Sequence, residues 1–509
     1  MKKLFISALC LATLWSCANS EDTPPQTEAG NLYMQFSVKM ETTRSATDGA
    51  GETNSNANPD YEVGQNYENT ISTVDVVLSK DDKYFIAQDV KIASAATDTY
   101  VASFNTLQLE AGATYKVYIY ANSKAPEALN EDAKSSETIA NITKNNNFWM
   151  TNAYAAEEVK LPTDLAPYTQ PQTPLNLSDH YVERSMARFD YMAVNEGNIY
   201  ALGKDKDGNT TVNVTLTDVA LINQSKEFYL LRRVSDDGTN TNWTVGGVET
   251  PNNFVVDTDY AAKANGYVDA TNFDAHMTAP TAWSWTSLAS LNTDDNWTGE
   301  ADNDHTPSDY KIWCYAKENT IPNIDAQQKG ITTGVVFKAQ ITAADAASDA
   351  LKAALNAGTE TIYVHNNILY GTWADVKAAA EATGADATLT AAYNQVEASK
   401  KAAADYADAG FTGYSPEGGK YYAYYYYWNR HNDNGDPYKM GKMEFAVVRN
   451  NVYKLCVDSI AKFGHPTPGG NDPDPDPEDP KDPDESVNYY FNVTVKVLPW
   501  VVRVNHIEF

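Results

Sequence analysis

The residues of this chain that could take part in chemistry point to covalent processing of the chain rather than to catalysis by it. Arg44 is the only arginine before Arg184. It sits within Glu41 to Gly51, a run of small and polar residues without hydrophobic periodicity, as in an exposed, protease-accessible loop. A trypsin-like enzyme specific for arginine would cut the Arg44–Ser45 bond and separate everything upstream from everything downstream. The seven histidines, at 180, 276, 305, 365, 431, 465 and 506, include no pair at helical i, i+4 spacing. No His-Glu-x-x-His, Gly-x-Ser-x-Gly, phosphate loop or Cys-x-x-Cys occurs. No catalytic residue, metal site or cofactor is therefore assigned, and the chain is not read as an enzyme. Asp205-Lys206-Asp207-Gly208-Asn209 has some of the acidic residues of a calcium loop but lacks its bidentate glutamate, so a hairpin turn is the simpler reading.

The chain opens with Lys2, Lys3 and an apolar run from Leu4 to Trp15, the pattern of an export signal too short to span a bilayer. Leu14-Trp15-Ser16-Cys17 resembles the lipobox of bacterial lipoproteins, in which the cysteine becomes the lipid-bearing first residue of the mature chain. Ala18 to Gly30 reads as a polar tether. Its Ser20-Glu21-Asp22 resembles the acidic signal that sends lipoproteins of Bacteroidales to the cell surface.

Two β-strands near opposite ends of the chain give these processing sites a purpose. Asn31 to Met40 is NLYMQFSVKM and Asn488 to Val497 is NYYFNVTVKV; they match without a gap at Asn31/Asn488, Tyr33/Tyr490, Val38/Val495 and Lys39/Lys496. Successive side chains in a strand point to opposite faces. One face of the first therefore carries Leu32, Met34, Phe36, Val38 and Met40, and the same face of the second carries Tyr489, Phe491, Val493, Val495 and Val497. Two strands with equivalent apolar faces can fill one groove, and a chain needs both when the first is a placeholder that a second copy replaces.

Composition sets the outer bounds. A chain of 509 residues is long enough for two or three domains, and its 33 tyrosines suit sheets packed on one face and wetted on the other. A formal net charge of -30 argues against nucleic acid and anionic membrane surfaces as partners. Cys10 lies inside the export signal, and a lipid on Cys17 would leave two of the four cysteines, Cys314 and Cys456, able to form a disulfide in an oxidising compartment, or to serve as small buried hydrophobes within strand-like runs.

Along the chain the pattern is mainly β. Strands are expected in STVDVVLSKDD, YFIAQDVKIAS, TYVASFNTLQL and TYKVYIYANS from Ile71 onward. A second series is expected from His180, in HYVERSMARFDYMAV, TTVNVTLTDVALIN, KEFYLLRRV and GVVFKAQIT. An Ala-rich insertion, 342–409, predicts three surface helices: Ala343–Ala357 capped by Thr342 and stopped by Gly358, Thr372–Thr383, and Thr390–Ala409. KYYAYYYYWNRHND and KMGKMEFAVVRNNVYKLCVDSI then read as a hairpin turning near His431 to Pro437. Gly464 to Glu485 is a Pro/Asp linker. Fifteen of its residues, Asn471 to Glu485, hold six Asp, two Glu and one Lys. Like charges alternating with proline keep such a segment extended at about 3 Å per residue, a reach of roughly 60 Å.

GKMEFAVVRNNVYKL, the Pro/Asp linker and VKVLPWVVRVNHIEF together resemble the shaft subunit of the short fimbriae of Bacteroidales, type V pilins of the fimbrillin family. VERSMARFDY resembles the opening of the second domain in that family. The resemblance implies two transthyretin-like β-sandwich domains, at 45–179 and 180–463. They would be preceded by a signal (1–17) and a propeptide carrying the placeholder strand (18–44), and followed by the linker (464–485) and a donor strand (486–509). It implies a lipid on Cys17, cleavage at Arg44–Ser45 by an arginine-specific protease, and assembly with other copies of the chain and accessory fimbrial subunits at the cell surface. The surface ligand is left open. A monomeric surface lipoprotein that binds glycan or host protein, and an accessory anchor or tip pilin, are the alternatives.

Overall fold

The structure is a computed structural model that describes residues 32–40, 64–96, 99–106, 109–127, 131–144, 148–205, 208–235, 242–246, 254–259, 273–277, 279–291, 310–320, 333–431, 443–469 and 491–499. The described residues form a mainly β fold, as the sequence predicts.

The first strand series folds as expected. Strands β1 (Leu32–Met40), β2 (Val74–Lys80), β3 (Lys83–Ala87), β4 (Lys91–Ala96), β5 (Thr99–Thr106) and β6 (Thr114–Ala121) belong to one sheet, ten-stranded among the described residues. Its spatial order is β3, β2, β6, Met150–Asn152, His180–Arg184, β1, β5, β4. Asp81 and Asp82, at φ 49° and 59°, make the two-residue turn between β2 and β3, a left-handed conformation that Asp tolerates better than most residues.

The chain changes sheets at Ser185 and Met186. Beyond them Ala187–Met192 joins a four-stranded sheet in the order Lys311–Ala316, Ala187–Met192, Asn451–Ile460, Phe491–Pro499. Ile199–Lys204, Thr210–Ile222, Gly334–Ala343 and Tyr421–Trp428 form another sheet in that order. One apolar core draws Phe189, Tyr191, Tyr453, Leu455 and Val457 from the former, and Val212, Val214, Phe337, Ile341, Tyr421 and Tyr425 from the latter. Phe189 stacks on Tyr453 at 4.9 Å, and Tyr191 meets Phe337 at 5.8 Å.

A buried ionic cluster pins the segment 64–69 at the change of sheets. Arg188 holds Asp190 through two hydrogen bonds of 2.8 Å and Glu68 through one of 3.0 Å, all three fully buried. Arg184 donates to the Glu68 carbonyl at 3.0 Å and to Asn450 Oδ1 at 3.2 Å, and Tyr315 donates its hydroxyl to Glu68 Oε1 at 2.5 Å. Buried charges persist only when paired in this way.

Several sequence expectations need correction. Tyr421–Trp428 and Asn451–Ile460 are not a hairpin: the former pairs with Gly334–Ala343, the latter with Ala187–Met192 and Phe491–Pro499, in different sheets. KEFYLLRRV yields only the short strands Phe228–Tyr229 and Arg233–Ser235. The first insertion helix is Asp349–Ala357, capped by Ser348 rather than Thr342, because Thr342 and Ala343 still belong to Gly334–Ala343; Gly358, at φ 56°, does end it. The second helix starts where expected, with Thr372 as its cap, but runs Trp373–Ala380 and stops short of Thr383. The third helix is two, Ala387–Glu397 and Ala403–Asp408, broken near Lys401, whose φ is 58°. Nor is the insertion only decoration: Val376, Leu389, Tyr393, Val396 and Phe411 make a core of their own, and Leu351 and Leu355 join the main one. Asp205 and Asn209 do close a hairpin turn, with Asn209 N donating to Asp205 Oδ1 at 2.8 Å between paired strands.

Candidate functional site: the groove around the first strand

β1 lies in the interior of its sheet. On one side it pairs antiparallel with β5 over eight residues, Leu32 to Lys39 opposite Thr106 to Thr99. On the other it runs parallel to Leu175–Asn176 and His180–Arg184, with Val38 opposite His180 and Lys39 opposite Tyr181. Removing it would leave two rows of unpaired backbone groups facing each other across one strand's width.

The strict alternation in sequence becomes strict alternation in burial. Leu32, Met34, Phe36 and Val38 are buried, with Val38 wholly inaccessible, while Tyr33, Gln35, Ser37 and Lys39 are half-buried. The four apolar side chains join a core that includes Phe104 of β5 and Val182 of His180–Arg184. Each contributes about 1.5–3 kcal/mol, together about 6–12 kcal/mol before the cost of ordering the strand. Phe36 meets Phe104 edge to face at 5.9 Å and His180 at 4.9 Å. Burial pushes the His180 imidazole down to about 4, with Asp179 opposing, so the ring is neutral at pH 7.

The solvent-facing side is held by polar contacts. Gln35 Nε2 donates to Asn176 Oδ1 at 2.5 Å, and Lys39 forms an ion pair with Asp179. Hydrogen bonds from Lys39 and Ser37 hold the Asp179 carboxyl below its ordinary range, and the same contact raises Lys39. Pattern alone could not find Asp179 or His180; both come to β1 from about 140 residues away in sequence.

The C-terminal strand Phe491–Pro499 lies at the edge of its own chain's four-stranded sheet, antiparallel to Asn451–Ile460. Val497, Val495 and Val493 stand opposite Tyr453, Leu455 and Val457, three buried residues of the main core. The alternating set on this strand is thus in register with core positions. The strand thus pairs within its own chain, a pairing the sequence reading did not anticipate. Cys17, Arg44, Ser45 and Tyr489 lie outside the described residues, as do the side chain of Met40 and those of Phe491, Val493, Val495 and Val497.

The Cys314–Cys456 disulfide does not form. Both are free thiols, on strands that flank Ala187–Met192 on opposite sides. Two interstrand spacings of about 4.8 Å put their backbones beyond the 7 Å a disulfide can bridge. In Tyr421–Trp428, Tyr421 and Tyr425 enter the main core, while Tyr424 packs with Trp283 on the other face, with Tyr422, Tyr426, Trp428 and Trp285 around them. Among the described residues no helix is long and apolar enough to cross a membrane.

Residues 419–506 match the family model described as Major fimbrial subunit protein type IV, Fimbrillin, C-terminal. The matched stretch runs from Tyr421–Trp428 through Asn451–Ile460 and the linker to the last strand. That stretch is similar to a fimbrillin C-terminal region. The resemblance drawn from GKMEFAVVRNNVYKL and VKVLPWVVRVNHIEF is borne out over these residues. Among solved structures, the chain is similar to a fimbrilin from Porphyromonas gingivalis W83, at 15% identity and a TM-score of 0.38, over 93% of this chain and 99% of that one. It is similar also to a putative cell adhesion protein from Parabacteroides distasonis ATCC 8503, at 12% identity and a TM-score of 0.38, over 94% of this chain and 99% of that one. A tip fimbrial protein from Porphyromonas gingivalis gives 10% identity and a TM-score of 0.32, over 92% of this chain and 99% of that one. No curated protein sequence matches.

Proposed function

We propose that this chain is a fimbrial subunit, the repeating unit of a surface shaft assembled by strand exchange. The chain is exported and lipidated at Cys17, and an arginine-specific protease cuts after Arg44. The released β1 leaves a groove between β5 and His180–Arg184, and the strand 488–497 of an adjoining copy fills it. The observation that carries this reading is the recurrence at 488–497 of the alternating pattern of β1, whose apolar face is buried in mid-sheet. A shaft role follows from having both a groove to fill and a strand to give, since a terminal subunit needs only one of them.

The test is electron microscopy of cells expressing the wild-type chain, the Arg44→Ala chain, and a chain lacking 488–509. Filaments are expected from the first alone. Filaments from the truncated chain would remove the mechanism, and filaments from the Arg44→Ala chain with β1 still attached would remove the placeholder role.

A further inference from the structure

We propose that Asp179 sets the register of whichever strand fills the groove, by recognising a hydroxyl and a lysine two residues apart. In β1 these are Ser37 and Lys39; after exchange they are Thr494 and Lys496 of the adjoining copy. The inference rests on the strand-exchange reading and concerns what aligns the incoming strand.

The apolar face aligns it only in part. Val493, Val495 and Val497 are three identical side chains at alternate positions, so over them a slip of two residues exchanges valine for valine and keeps the same face inward, and only Tyr489 and Phe491 oppose it. Nor does that face copy β1 closely: Met34 and Phe36 correspond to Phe491 and Val493. The polar face keeps its chemistry at every position. Tyr33, Gln35, Ser37 and Lys39 correspond to Tyr490, Asn492, Thr494 and Lys496. Gln35 is held by Asn176, and Ser37 and Lys39 by the single carboxylate of Asp179. Asp179 directly precedes His180, the parallel partner of Val38, so its place relative to the filling strand is fixed by the sheet. A slip of two residues one way would bring Leu498 beside it, and the other way Thr494 in place of the lysine.

The last strand's home position lacks this match. There Lys496 is paired in register with Lys454, and lysines at directly opposed positions of an antiparallel pair are unfavourable. Moving to the groove exchanges a lysine neighbour for an aspartate.

The test uses cross-linking in full-length, assembled chains. Ser37 is opposite Val101 of β5, so Thr494 in its place would also face Val101. With Val101→Cys and Thr494→Cys, which gives up the hydroxyl and leaves Lys496 as the partner of Asp179, oxidised filaments are expected to give a disulfide-linked ladder on non-reducing gels. Adding Asp179→Lys should lower the ladder's yield about fivefold, the upper end for a half-exposed ion pair, and let a cysteine at 492 or 496 link instead. Adding Lys496→Asp to that chain should restore the 494 ladder. Asp179→Asn, which perturbs folding less, should give an intermediate loss. A 494 ladder unchanged in both Asp179 variants would overturn the register role and leave strand exchange standing. Filaments without any ladder in the Asp179 background would overturn strand exchange, and the register role with it.

Discussion

Phe36 and His180 meet edge to face, centroids 4.9 Å apart and planes at 87°, and neither imidazole nitrogen has a hydrogen-bond partner among the described residues. A carboxylate oxygen, Glu157 Oε2, lies 3.5 Å from Nδ1. A neutral histidine with no hydrogen bond to either ring nitrogen is therefore sealed under β1.

This sealing makes the precursor acid-sensitive. His180 titrates near 4 in the folded chain against an ordinary 6.5. Its contribution to stability is whole above pH 6.5 and is lost as pH falls toward 4, at most about 3 kcal/mol. Glu157, raised by burial, opposes the trend, so the comparison is between variants. His180→Leu should flatten the urea-midpoint profile between pH 6.5 and 4; an unchanged slope would mean that His180 is not its source.

Phe36→Ala should destabilise the precursor by about 3–5 kcal/mol, because a buried aromatic leaves a cavity between Phe104 and His180. Thermal or urea unfolding of the uncleaved chain measures this. Once β1 has been cleaved away and replaced, the same substitution should have no effect on filament stability.

Glu68→Ala should cost about 3–5 kcal/mol, since it leaves Arg188 buried with one partner fewer. Because Glu68 lies downstream of Arg44, this loss should appear equally before and after cleavage, unlike that of Phe36→Ala.

Charge on the two faces of the last strand should act differently. Val495→Lys should prevent filament formation or speed dissociation at least tenfold, by placing an ammonium where Val38 is wholly buried. Thr494→Lys, on the solvent-facing side, deletes a hydroxyl that helps to set register but buries no charge, so filaments should still form and dissociate at close to the wild-type rate. Equal effects would contradict a one-faced groove.

Cys17→Ala should abolish labelling by a clickable palmitate analogue and halt delivery to the outer membrane. Persistent labelling would place the lipid elsewhere.

Local pattern was enough to read much of this chain. Alternation in LYMQFSVK became alternate burial at Leu32, Met34, Phe36 and Val38, since a strand's period of two depends on backbone geometry alone. Turn chemistry placed the β2–β3 hairpin and the Asp205–Asn209 turn, and Gly358 the end of a helix, through short-range sterics. The errors arose where pairing is long-range. Tyr421–Trp428 and Asn451–Ile460 look like a hairpin because both are apolar strands joined by a turn-rich segment, yet burial of Tyr421 and Tyr425 against Tyr453 and Leu455 is better served from facing sheets.

The sequence by itself determined the periodic faces, the two matching strands, the lone early arginine and the charged linker, because each is a property of neighbouring residues. Tertiary structure alone decided that β1 runs between β5 and His180–Arg184, that Lys39 meets Asp179 and Phe36 meets His180, and that Lys496 stands opposite Lys454. Those contacts join residues far apart along the chain. No local period encodes them; they follow from which sheet edges can bury the most apolar surface while satisfying every backbone hydrogen bond.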